Sequence, residues 1–172
     1  MTAQAREILI YKGKKYGMAT EPLEPYIESN GIQFNHMIEC SGCWRGYIGT
    51  WSIEDNKLYL IDIDTDNNGK KVGLEYLFPN QEKVFAEWFT GELRIPYGEM
   101  IKYVHQGYAS LYEKELFLNV QKGIVISERE IDNTLYYNNM MKQNINDFKK
   151  GTKTEKIKYK IKHWLVSLLI ED

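Results

Sequence analysis

Apolar and polar residues alternate along most of the first 130 residues of this 172-residue chain, and beyond Ile131 they recur at three- and four-residue spacing instead. A period of two places successive side chains on opposite faces of a strand, and a period near 3.6 marks one face of a helix. The change of period predicts a mainly β body over 1–130 and a helical part over 131–172, joined in a single domain.

Within the body, Ile8–Tyr11 and Tyr16–Met18 flank Lys12–Gly13–Lys14–Lys15 and read as a hairpin, with Gly13 supplying a positive φ. A short N-terminal helix follows, starting at Thr20 or Glu21 and ending before Gly31, with Pro22 and Pro25 in its first turn. A second hairpin pairs Tyr47–Ile53 with Leu58–Ile63 across Asp55–Asn56. A two-residue turn there sets Glu54 opposite Lys57, Ile53 opposite Leu58 and Trp51 opposite Leu60, with the apolar pairs on one buried face. Ile48, Ile61 and Ile63 then fall on the other face with Thr50, Ser52 and Tyr59. Val84–Ile95 reads as one strand, stopped by Pro96 and bulged at Gly91. Leu116–Val120 and Ile124–Ser127 form a further hairpin around Lys122–Gly123.

In the C-terminal part, Tyr137, Met141, Ile145 and Phe148 share a helical face that Asp132 caps and Gly151 ends. Thr152 and Glu155 then make a capping-box pattern ahead of Ile157, Ile161, Trp164, Leu165 and Leu168. Residues 156–162 also alternate as an edge strand would, but the cap and the longer spacing agree on a helix. The expected fold is therefore α+β. A curved, mainly antiparallel sheet, with closure into a barrel as an alternative, packs against two C-terminal helices and a short N-terminal one.

Composition adds exclusions. The chain is 43% hydrophobic and 27% charged, which is the composition of a folded domain and not of a disordered one. No apolar run suits a signal peptide or a membrane span, so a cytoplasmic protein is expected. A net charge of −2 points to no nucleic-acid partner. That charge is uneven: residues 1–100 hold 10 Lys/Arg against 15 Asp/Glu, and residues 131–172 hold 8 against 5.

One stretch spells out a cation site. In DTDNNGKKVGLE (64–75), Asp64, Asp66, Asn68 and Glu75 take the first, third, fifth and twelfth places of an EF-hand calcium loop, and Gly69 takes the sharp turn. The flanks argue otherwise: Leu58–Ile63 alternates as a strand, Pro79 limits any following helix, and Lys70 and Lys71 bring positive charge. The loop is therefore expected to be a polar connection between sheet elements, and no cofactor is expected. His36, Cys40 and Cys43 supply three soft ligands within eight residues, with His105 as the distant fourth. A single CxxC is a weak signal for zinc or redox chemistry, and a Cys43–His105 nucleophile pair would require the fold to bring the two together.

Aromatic residues are abundant: 13 Tyr, 4 Trp and 6 Phe. Trp51, Trp88 and Trp164 lie on apolar patterns and are assigned to the core, which leaves Trp44, beside Arg45, as a candidate interface anchor. Lys156 and Lys160, on the basic rim of the last helix, are a second candidate contact, and that helix is also a candidate homodimer interface. The run CWRGYIGTWSIEDNKLYLIDI, with FAEWFTGELRIPYG after it, resembles a group of bacterial proteins of similar length that have no established activity. Gly49–Trp51 is similar to the GxW of fatty-acid-binding proteins and other calycins, which carry it in their first strand and not behind a helix. No nucleophile–base set or phosphate loop emerges, so enzyme activity is not the leading expectation. The chain is expected to be a non-catalytic protein-binding protein of the immunity or antitoxin kind. The alternative is a binder of a small hydrophobic or sugar ligand in a barrel-like sheet, and the third reading is an enzyme of unknown type.

Overall fold

The computed structural model describes residues 2–34 and 41–150, with the side chains of 144–150 left out. It divides into two compact units, Met1–Ile131 and Asp132–Asp172. The first is a mixed, mainly antiparallel sheet of nine strands: β1 (Glu7–Tyr11), β2 (Lys14–Met18), β3 (Tyr47–Glu54), β4 (Lys57–Asn67), β5 (Lys70–Val72), β6 (Val84–Phe85), β7 (Gly91–Lys102), β8 (Leu111–Gln121) and β9 (Ile124–Asp132). The main path runs β2-β1-β3-β4-β9-β8-β7, and β5 and β6 pair with β4 off that path. The pairing of β1 with β3 is parallel, reached through the crossover that contains α1 (Glu24–Asn30). In the second unit, α2 spans Thr134–Lys150, and the Asp132 carboxylate accepts the Thr134 amide at 2.8 Å, the cap its sequence predicts. The second predicted helix, from Lys153 to Ile170, lies outside the described residues.

Three turns follow directly from local chemistry. Lys12–Gly13, Asp55–Asn56 and Lys122–Gly123 all have positive φ at both central positions, the mirror-image geometry that matches strand twist. The β3–β4 register then pairs Glu54 with Lys57, Ile53 with Leu58 and Trp51 with Leu60, as the alternation predicts. Beyond Trp51 the ladder slips by one at a bulge, so that Thr50 faces Asp62 and Gly49 faces Ile63. The slip turns Ile63 inward, where it is 1% exposed, and corrects its expected place on the outer face.

Other expectations need revision too. The α1 helix begins at Glu24, later than expected, so Pro22 precedes it while Pro25 sits in its first turn; Gly31 ends it with φ 60°. The single strand expected over Val84–Ile95 is two, β6 and β7, separated by a turn in which Phe89 donates its amide to the Ala86 carbonyl. Pro96 does not stop β7. It lies within the strand opposite Glu115, and β7 ends the sheet path, where a missing N–H costs no ladder bond.

The sheet curls until its two ends approach. The Ala19 amide donates to the Arg94 carbonyl at 2.8 Å, and the Arg94 amide donates to Thr20 Oγ1 at 2.8 Å. It is nevertheless not closed into a barrel, so that alternative is set aside. Inside the curl, Leu9, Trp51, Leu58, Leu60, Leu93 and Leu118 have no exposed surface. Burying each such side chain contributes about 1.5–3 kcal/mol.

Candidate functional site

The sequence predicts an apolar interior, yet Glu7 is completely buried among those residues. It occupies the same face of β1 as Leu9 and Tyr11, because residues two apart share a face. The Trp51 indole N–H donates to its Oε2. Gly49, on β3, makes room for the group: a Cβ there would lie 2.5 Å from Glu7 Oε2 and 2.7 Å from Trp51 Nε1. On the other side is Arg45, whose side chain is 9% exposed and whose Nε lies 3.3 Å from Glu7 Oε1. That N–H does not aim at the oxygen, so the attraction is one of charge without a directed hydrogen bond.

Arg45 is held more firmly at its other end. Its Nη1 donates to Glu21 Oε1 at 3.2 Å and to the Tyr108 hydroxyl at 2.9 Å. The Tyr108 hydroxyl lies 2.7 Å from Glu21 Oε1 and 3.0 Å from the Ala5 carbonyl, and its one proton serves one of these acceptors at a time. Among the described residues, Glu7 Oε1, Arg45 Nε and Nη2, and the Tyr47 hydroxyl are buried without a hydrogen-bond partner.

Burial dominates the electrostatics. It pushes the Glu7 carboxyl up to about 7, against the opposing pull of the Trp51 hydrogen bond and the Arg45 charge. Burial also raises the Tyr47 and Tyr108 phenols, with the nearby carboxylates adding to the effect. Burial works against the charge on Arg45, but Glu7, Tyr108, Cys43 and Glu21 more than offset it and hold its pKa up. The sign for stability follows from linkage. A carboxyl raised in the fold stabilises fully below the unfolded value near 4.5, and that contribution is lost as pH rises through about 7. The stability advantage of wild type over Glu7→Gln should therefore be greater at pH 5.5 than at pH 8.5, by about 2 kcal/mol. Urea unfolding of both proteins at the two pH values checks this, and a gap that widens toward alkaline pH would contradict it.

Above this cluster the chain runs over the surface as 41–46. The Arg45 side chain anchors it from within and Gln4 holds it along its main chain: Trp44 donates its amide to Gln4 Oε1 at 3.1 Å, and Gln4 Nε2 donates to the Ser41 carbonyl at 2.9 Å. The Ala5 amide donates to the Gly42 carbonyl, Thr65 Oγ1 donates to the Gly46 carbonyl at 2.8 Å, and Gly46 turns the chain with φ 76°. The result is a short loop tied at Ser41, Gly42, Trp44, Arg45 and Gly46 that presents Trp44 at 59% exposure. The same N-terminal segment ties in the loop 103–108, through Gln4 N–H to the Gly107 carbonyl at 3.0 Å. Tyr103 is exposed on that second loop, its hydroxyl 2.7 Å from His105 Nδ1.

The structure thus brings Trp44 and Arg45 into one loop but gives them opposite roles, Trp44 outward and Arg45 inward. Lys156 and Lys160 lie outside the described residues, as do His36 and Cys40. Cys43 is a free thiol that donates to the Tyr47 carbonyl at 3.3 Å, whereas His105 is engaged by Tyr103. Asp64 and Asp66 lie on β4, and Asn68–Gly69 is the tight turn into β5, so a β-hairpin carries these residues and not a helix–loop–helix. Their oxygens are already in use: Asp66 accepts the Gly69 amide, Glu75 accepts the Gly73 amide, and Lys71 stands 3.5 Å from Asp64. Millimolar calcium is expected to leave the melting temperature unchanged, because a ligand stabilises only by binding the folded state. A rise that Asp64→Ala with Glu75→Ala abolishes would contradict that reading.

Glu7, Glu21, Tyr47 and Tyr108 were not among the sequence-derived candidates. The one available signal was Glu7 itself, a charged residue on an apolar strand face. Comparison with family models, with curated proteins and with solved structures found no match.

Proposed function

We propose that this is a non-catalytic binding protein that recognises another protein, with Trp44 as the anchor of the contact. The exposure of Trp44 on a loop held from within is the observation that carries the reading. Tryptophan is enriched among residues that dominate binding energy, and an anchor already fixed in place loses little conformational freedom on association. The immobilised Arg45 beside it supplies that rigidity, and Tyr103 is a second exposed aromatic residue, on a loop tied to the same N-terminal segment. Recognition of the immunity or antitoxin kind, in the cytoplasm, fits a small protein of this design, by analogy only. No helix among the described residues is long and apolar enough to cross a membrane.

Trp44→Ala should leave the melting temperature within about a degree of wild type, since exposed substitutions rarely move stability by more than ~0.5 kcal/mol. Tagged wild type and variant are then compared for capture of proteins from the native cell. A protein retained by wild type and lost by the variant is the expected result, and identical capture profiles would sink the proposal. A second reading, binding of a small hydroxylated ligand, is favoured by the buried, unpartnered oxygens and nitrogens of Glu7, Arg45 and Tyr47. A sugar hydroxyl both donates and accepts, as such a mixed set requires.

A further inference from the structure

The loop 41–46 hangs from two kinds of tether. Gln4 and the backbone hold it along its main chain, while the Arg45 guanidinium, drawn inward between Glu7, Glu21 and Tyr108, holds it by a side chain. We propose that the ionisation of Glu7 sets how firmly this loop, and with it Trp44, is held: the carboxylate clamps Arg45, and the neutral acid lets it loosen. The proposal rests on the reading of Trp44 as the recognition anchor and adds its regulation by pH.

The groups facing Glu7 are Arg45, Glu21, the phenols of Tyr47 and Tyr108, and the Trp51 indole. Of the two charged ones, Arg45 favours the anion and Glu21 opposes it. With the loop in place the carboxylate gains the attraction of Arg45. With the loop loosened that attraction fades, while Trp51 and Gly49 still wall the group from water. Glu7 therefore binds its proton more tightly in the loosened state, and by reciprocity protonation favours loosening. The titration of Glu7 at about 7 puts the change at neutral pH. Global stability should respond with the opposite sign, since protonation removes a buried charge. That opposition separates a local switch from partial unfolding.

Amide hydrogen exchange of the free, full-length protein tests this at pH 8 and pH 6, with rates corrected for intrinsic exchange. The reporters are the amides of Ala5, Trp44 and Gly46, which donate to Gly42, Gln4 and Cys43, and the Leu118 amide in β8 is the reference. Protection of the three reporters should fall about tenfold from pH 8 to pH 6, the effect of one pKa unit of coupling, while that of Leu118, which reports global opening, rises. Glu7→Gln should show the lower protection already at pH 8, with no further change. His105 lies on the neighbouring loop outside the Glu7–Arg45 cluster, so His105→Gln should retain the wild-type profile. A flat wild-type profile would overturn the proposal, as would a pH response that survives Glu7→Gln or vanishes with His105→Gln. Should Glu7→Gln fail to fold, the profile of His105→Gln decides: a fall in reporter protection from pH 8 to pH 6 supports the switch and a flat line overturns it. The readout needs no partner, so its failure leaves the anchor reading to its own binding test.

Discussion

Arg45→Ala is expected to lower the unfolding free energy by about 3–5 kcal/mol, the usual cost of removing one partner from a buried ion pair. The side chain is 9% exposed and faces a completely buried carboxylate, so its loss leaves Glu7 with no counter-charge and strips Glu21 and Tyr108 of their shared donor. The loss should be greater at pH 8.5 than at pH 6. At the lower pH Glu7, which titrates at about 7, carries its proton and no longer needs the cation. Urea unfolding at the two pH values gives both quantities. A loss below about 1 kcal/mol at pH 8.5 would mean that the pair holds nothing of consequence.

Trp51→Ala should cost a similar amount, about 3–5 kcal/mol, for a different reason. The indole is fully buried opposite Leu60, and its removal opens a cavity at the centre of the curled sheet while taking the N–H donor from Glu7. Asp55→Ala, in the turn of the same hairpin, should cost only about 1 kcal/mol, the strain of placing alanine at φ 47°. The two variants together separate core from turn. If Trp51→Ala were as mild as Asp55→Ala, the description of the interior would fail.

Some of this was legible in the sequence and some was not, for identifiable reasons. The β3–β4 hairpin is readable because Asp55–Asn56 tolerates positive φ and the flanking alternations admit one register. The bulge beside Trp51 is not readable. The slip depends on how β4 meets β3, and the run Leu58–Ile63 alternates either way. Pro96 misleads because a proline stops a central strand but is tolerated on a sheet edge, and edge position is a property of the whole topology. The pair Trp44–Arg45 could be singled out as unexplained by the core pattern. What Arg45 does could not, because Glu7, Glu21 and Tyr108 are brought to it from distant parts of the chain. The EF-hand spelling shows the converse: a loop with five matching positions folds as a hairpin when a strand runs into it.

We propose Trp44, exposed on an internally braced loop, as the binding anchor. Its most direct test is the dissociation constant for a captured partner, once purified, measured by titration calorimetry for wild type, Trp44→Ala and Ile126→Ala. The last removes an equally exposed apolar side chain on β9, away from the loop. Loss of a dominant anchor costs 2 kcal/mol or more, so Trp44→Ala should bind at least about thirtyfold more weakly while Ile126→Ala stays within about threefold of wild type. Equal affinities for wild type and Trp44→Ala would contradict the account.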